Sequence, residues 1–161
     1  MFARPLIDSV DFASSGRVLR GETPIDALSR LGDLLADSHG TLTYTVRGLR
    51  EDDRDMLEVE LHGVCQLRCQ RCLGELKYPV DTVSRLQIVA ADRIDEFDTN
   101  DDVDCIEASS HLDVLELVES ELLLGFPFAP KHPEGACSPV LEGLEQPENP
   151  FSVLAGLIKK H

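Results

Sequence analysis

The sequence predicts an α+β fold: an antiparallel sheet, open or barrel-like, packed by two main helices and followed by a proline-rich tail with a short C-terminal helix. Stretches 41–46, 56–67 and 78–89 alternate apolar and polar residues with the period of two that a half-buried strand requires, and short polar turns join them. Stretches 24–36 and 113–124 instead repeat apolar residues at helical spacing. A length of 161 residues suits one hydrophobic core rather than two. Residues 1–161 are therefore expected as a single domain whose residues 139–161 form an extended tail.

In chain order, Gly16 to Gly21 reads as a short strand closed by glycine. Thr23 is placed to cap a helix that Pro24 opens, with Ile25, Leu28, Leu31 and Leu35 as its apolar stripe and Ser38-His39-Gly40 as its stop. Thr41 to Val46 and Met56 to Leu67 then form a hairpin across the charged turn 51–55, with Leu57, Val59, Leu61, Cys65 and Leu67 on one side. Residues 69–74 fall in the turn before the next strand, which carries Val80, Leu86 and Ile88 on one face. The acidic stretch 92–105 reads as a solvated loop running into a short strand at 103–107. Asp113 and Glu116 have capping-box spacing ahead of a helix whose stripe is Leu115, Val118 and Leu122, and Gly125 with Pro127 ends it. Its other face carries Glu116, Glu119 and Glu121 and reads as solvated acid or a docking surface. Six prolines from Pro127 to Pro150 make the remainder irregular. At its end Asn149 and Pro150 start a short helix with Phe151, Leu154, Leu157 and Ile158 on one side.

Charge narrows the function. Fifteen basic residues against thirty acidic ones give a net charge of -15, which repels polyanions and favours basic partners. The excess is regional: residues 1–90 hold 11 basic and 14 acidic groups, whereas 91–161 hold 4 and 16, so the first half can still carry a local basic patch. The longest apolar run, Leu122 to Pro130, is far short of the ~20 residues of a membrane span. The N-terminus reaches Asp8 and Asp11 before any apolar core develops, so no secretory leader is expected. Five cysteines, three of them within 65–72, do not suit a secreted disulfide framework. A cytoplasmic protein with reduced or metal-bound thiols is the expectation.

The densest chemical signal is Cys65-Gln-Leu-Arg-Cys69-Gln-Arg-Cys72. A Cys-x-x-Cys turn brings two thiolates onto one tetrahedral ion, and His132 and Cys137, separated by four residues that include a glycine, can complete a structural zinc site. Cys69, Cys72, His132 and Cys137 are thus the candidate ligands, with zinc as the cofactor. The plain alternative is a set of reduced thiols. A redox enzyme is the weaker reading, because a thioredoxin-like motif opens a helix in a βαβ unit and this one lies between antiparallel strands. Cys65 shares the strand parity of Val59 and Leu61 and reads as core, and Cys105 sits in a short apolar stretch with the same reading.

Arg68 and Arg71 interleave with the cysteines and, with Arg47, Arg50 and Arg54, offer a patch for RNA phosphate or an acidic partner, although arginines among so many acids more often make a mixed solvated surface. Asp98, Asp101, Asp102, Asp104, Glu116 and Glu119 are the candidate acidic docking surface. No enzyme constellation is expected: the chain has no GxSxG elbow, no glycine-rich phosphate loop and no HExxH, and Ser109-Ser110-His111 with Asp113 reads as the approach to a helix cap. Neither a small-molecule substrate nor a membrane is expected as a partner.

Three segments in order carry a family resemblance: Leu67-Arg-Cys69-Gln-Arg-Cys72; Glu119 to His132, followed by Cys137; and Asn149-Pro150-Phe151 to Leu157. Together they resemble the large ribosomal RNA subunit accumulation protein family, YceD, from residue 57 onward. The resemblance implies a bacterial or plastid factor supporting accumulation of 23S ribosomal RNA without an established catalytic activity. It also implies that the family's recurring chemical positions fall on Cys69, Cys72, His132 and Cys137. Joined to the acidity, it gives the expected mechanism: binding of a basic large-subunit ribosomal protein or assembly intermediate, with 23S ribosomal RNA reached directly or indirectly. Direct RNA binding through Arg68, Arg71 and the cysteine turn is the rival.

Overall fold

The computed structural model describes residues 4–94 and 103–137. Its centre is three long antiparallel strands, β4 (Thr41–Glu51), β5 (Arg54–Arg68) and β6 (Glu75–Val89). The alternation that predicts them is realised in their burial. Leu42, Tyr44 and Val46 of β4 and Leu57, Val59 and Leu61 of β5 point into the core, and intervening residues face outward. Asp52 and Asp53 join β4 to β5 as a two-residue turn with positive φ at both positions, the backbone twist a tight hairpin needs.

Around this centre lie β1 (Leu6–Ile7), β2 (Val18–Pro24), β3 (Leu35–Asp37), β7 (Asp104–Glu107) and β8 (Leu112–Asp113). The main sheet runs β2-β4-β5-β6-β7, with β3 paired to the far end of β5; it stays open rather than closing as a barrel, and β1 pairs with β8 separately. Every pairing is antiparallel except β6 with β7. Two helices pack on it, α1 (Ser9–Ser14) and α2 (Val114–Gly125). Among the described residues no helix is long and apolar enough to cross a membrane.

The helix expected over 24–36 is not formed. Thr23 and Pro24 belong to β2, opposite Leu42 and Thr41. Two 3-10 turns follow, Ile25–Ala27 and Ser29–Leu31, and then β3 begins at Leu35. The stripe itself is correct, since Ile25, Leu28, Leu31 and Leu35 are all buried. A spacing of three residues fits the 3-10 helix as well as it fits the α-helix. Leu28, at φ -96 and ψ 85, breaks the run, and Glu119 of α2 accepts the Arg30 backbone N–H. The second helix is instead α1, capped by Asp8, whose carboxylate accepts the Asp11 N–H at 3.0 Å, and it buries Phe12 and Ala13.

α2 begins as expected, with the Asp113 carboxylate accepting the N–H groups of Leu115 (2.9 Å) and Glu116 (3.2 Å), and it buries Leu115, Val118 and Leu122. Its acidic face differs from expectation: Glu119 and Glu121 are only 3% and 8% exposed. Glu119 lies four residues after Leu115 and three before Leu122, so helical geometry carries it to the covered side, where it serves the Arg30 turn. Glu119→Ala is therefore expected to strand the Arg30 N–H and destabilise the protein by roughly 1–3 kcal/mol, whereas Glu119→Gln keeps an acceptor and costs less. Urea unfolding of the two variants checks this ordering. Asp98, Asp101, Asp102 and the C-terminal tail with its helix lie outside the described residues.

Candidate metal centre

The β5–β6 hairpin closes through residues 69–74. The Cys69 N–H donates to the Gly74 carbonyl (2.9 Å) and the Leu73 N–H to the Cys69 carbonyl (2.8 Å), while Leu73 takes the left-handed conformation at φ +61. This tight turn holds Cys69 and Cys72 on one side. The segment after α2 folds back over it: the Gln70 N–H donates to the Pro130 carbonyl (2.8 Å), and a turn through Gly135, at φ +79, returns the chain from His132 to Cys137.

The four expected ligand residues converge. Their ligand atoms all lie within 4.8 Å of one another, and no other such group occurs among the described residues. Cys72 Sγ is 3.4 Å and Cys137 Sγ 3.7 Å from His132 Nδ1, and the Sγ atoms of Cys69 and Cys137 are 3.9 Å apart. A tetrahedral ion bonded at ~2.3 Å to sulfur and ~2.0–2.1 Å to nitrogen has S···S edges of roughly 3.8 Å and S···N edges of roughly 3.6 Å, so the spacing fits a four-coordinate site. The imidazole is oriented for the task. His132 Nε2 lies 2.8 Å from the Glu75 carbonyl, which can only accept, so Nε2 carries the proton and Nδ1 presents its lone pair to the thiols.

The thiols are unequal. Burial pushes Cys69 up, but the backbone N–H groups of Cys72, His132 and Arg71 and the Cys72 side chain donate to its sulfur and together hold it down at about 5. Burial pushes Cys137 up, and its sulfur neighbours Cys69 and Cys72 push it further. Cys65 is fully buried in the sheet and raised to about 11 by that burial, the core thiol its parity predicts. Cys105 is only half-buried and packs near Val103.

The arginines do not form one patch. Arg68 and Arg71 are exposed beside the cysteine turn, and Arg68 directs its guanidinium to the Leu35 carbonyl (3.4 Å). Arg54 stands at the other end of the fifteen-residue β5, roughly 45 Å of strand away. Arg47 pairs with Glu58 and Glu60, and Arg50 with Asp53 and Asp55. Among the acids, Asp104 and Glu116 line a groove between β7 and α2, which Glu119 does not join and Glu121 does. Two contributors were not read from the sequence. The Glu75 carbonyl leaves no side-chain signal, and the charge of Glu121 suggests solvent although its spacing from Leu117 points inward.

Fold and site together define an open-sheet α+β protein with a Cys3His group at one hairpin end able to hold a metal ion. The chain belongs to the family described as large ribosomal RNA subunit accumulation protein YceD, whose sequence profile matches residues 57–158 and so includes all four Cys and His positions. The family's description names accumulation of the large ribosomal RNA subunit. Comparison with curated proteins and with solved structures gives no match.

Proposed function

We propose that the chain supports synthesis, processing or stability of 23S ribosomal RNA in the cytoplasm, without catalysis, by binding a basic large-subunit ribosomal protein or an assembly intermediate that carries one. The observation that carries this reading is an unneutralised acidic surface: Asp104 and Glu116 border one groove and neither has a cationic partner among the described residues. Opposite charge raises the association rate and shields a basic client before it meets RNA. The Cys3His group takes zinc in this reading. The ion clasps the segment 126–137 onto the hairpin and has a structural part only.

Direct RNA binding remains the second reading. It is favoured by Arg71, exposed beside the cysteine turn, and by Phe128, fully exposed four residues before His132 and available to stack on a base. Crosslinking in growing cells, with bound protein and RNA identified together, separates the two. The expected result is capture of a basic large-subunit protein that weakens as salt rises. Capture of RNA alone, with a salt slope flattened by Arg71→Glu, would replace the first reading with the second.

A further inference from the structure

The groove between β7 and α2 has a volume of about 360 Å³. Leu86, Ile106 and Leu117 give it an apolar lining, Asp104 and Glu116 lie along it, and Glu121 faces into it. The residue is 92% buried, while its carboxylate, which has no hydrogen-bond or ion-pair partner among the described residues, still opens to the groove. Among the described residues no cation pairs with it: Arg4 pairs instead with Asp113 at 2.9 Å, and Arg30 donates to the Ser120 hydroxyl. A cation entering the groove meets this unpartnered carboxylate beside apolar walls, where opposite charges attract more strongly than in open water.

The chemistry of the lining selects the cation. Asp104, Glu116 and Glu121 do not converge closely enough to hold a metal ion, since the Cys3His group alone does so among the described residues. A hard divalent ion would in any case require six or more oxygen ligands. Phosphate-bearing polymers are repelled by the carboxylates of Asp104, Glu116 and Glu121, with Asp113 beside them in its pair with Arg4. Lysine and arginine suit both halves of the groove, because a methylene stem lies along leucines while the charged head reaches the acid.

Building on the reading above, we infer that this groove docks a basic polypeptide segment, seating one arginine or lysine head against Glu121 and an adjacent apolar side chain against Leu117 and Leu124. Leu124 is 74% exposed at the groove's edge, an apolar surface such a segment would cover. Asp104 and Glu116 then act as the charged rim, which sets the association rate more than the affinity.

The test uses the full zinc-loaded chain and a fluorescein-labelled peptide of alternating arginine and leucine, with a glutamate-for-arginine peptide as control. Glu121→Gln is expected to weaken binding at least roughly tenfold, since it removes the groove charge that the cation meets. Leu124→Lys alters an exposed residue, leaves the core untouched and is expected to block the groove as strongly. Asp26→Asn, on the exposed face of a 3-10 turn, is expected to change nothing. Undiminished peptide binding by Glu121→Gln and Leu124→Lys overturns the groove assignment. If those variants still crosslink the same ribosomal protein in cells, the ribosomal reading survives it. Groove-dependent peptide binding by a wild-type chain that captures no ribosomal protein in cells overturns the ribosomal reading instead. Should Lys159→Glu with Lys160→Glu tighten peptide binding and shift the methyl signals of Leu117 and Leu124, the chain's own C-terminus fills the groove and the inference is overturned.

Discussion

Cys69→Ala is expected to abolish stoichiometric zinc binding and to release the segment that folds over the hairpin, while the sheet stays folded. The wild-type chain, purified with zinc present, should carry one ion per molecule by elemental analysis. Cys69 is the deepest ligand, fully buried, and its sulfur accepts the Arg71 N–H at 3.4 Å, so removing it takes away a wall of the site as well as a bond. Apparent zinc affinities of such sites in small peptides are ~10–16 kcal/mol, and in those peptides this energy is the folding energy. Here the core of β4, β5 and α2 is independent of the ion, so the loss is local. Trypsin should therefore cut at Arg71 and Lys131 in the variant and in chelator-treated wild type, and spare both in the zinc-loaded chain. Cys65→Ala, which alters a core thiol outside the cluster, should retain the ion. Wild-type protein free of zinc after purification with the metal, or equal zinc loss in Cys65→Ala, would remove the clasp from the mechanism.

Each half of the Cys3His group is legible in the sequence because its geometry is local. Two residues between cysteines, four between histidine and cysteine, and a turn between alternating strands leave little freedom. The support of that site could not be read: the Glu75 carbonyl that orients His132, and the Pro130 carbonyl that receives the Gln70 N–H, are backbone groups from distant parts of the chain. The same limit explains the error over 24–36. Its apolar spacing settles which side chains are buried, but the 3-10 turns are tied down by the tertiary bond from the Arg30 N–H to Glu119, 89 residues on. The charge of Glu119 and Glu121 suggests a solvated face. Their positions relative to Leu115, Leu117 and Leu122 pointed inward, and period outweighed residue type. The parallel pairing of β7 with β6 depends on a crossover that no local pattern encodes.

Gly48→Ala should be among the most destabilising single-methyl additions in this protein. Gly48 lies on β4 beneath α1, and a Cβ there would fall 2.1 Å from the Phe12 carbonyl oxygen and 2.7 Å from the Ala13 Cα. Both are backbone atoms, so no rotamer relieves the overlap and α1 must lift. The position is pinned from the other side, because the Gly48 N–H donates to the Arg17 carbonyl at 2.8 Å just after α1. Overpacking costs roughly 1–3 kcal/mol. Partial exposure of Phe12, now 5% exposed, adds a share of the roughly 1.5–3 kcal/mol that its burial contributes. A loss of about 2–5 kcal/mol is expected, read as a lower urea midpoint at an unchanged slope. Gly32→Ala provides the contrast within the same chain. Its φ of -50 and ψ of -41 suit any residue, and the nearest atom to an added Cβ, the Ser29 carbonyl oxygen, is 3.5 Å away. That variant should be neutral or more stable by roughly 0.4–1 kcal/mol, because alanine restricts only the unfolded chain. Equal midpoints for the two variants would mean that α1 does not sit on β4 at Gly48. The seating of Phe12 and Ala13 in the core would then have to be reassigned.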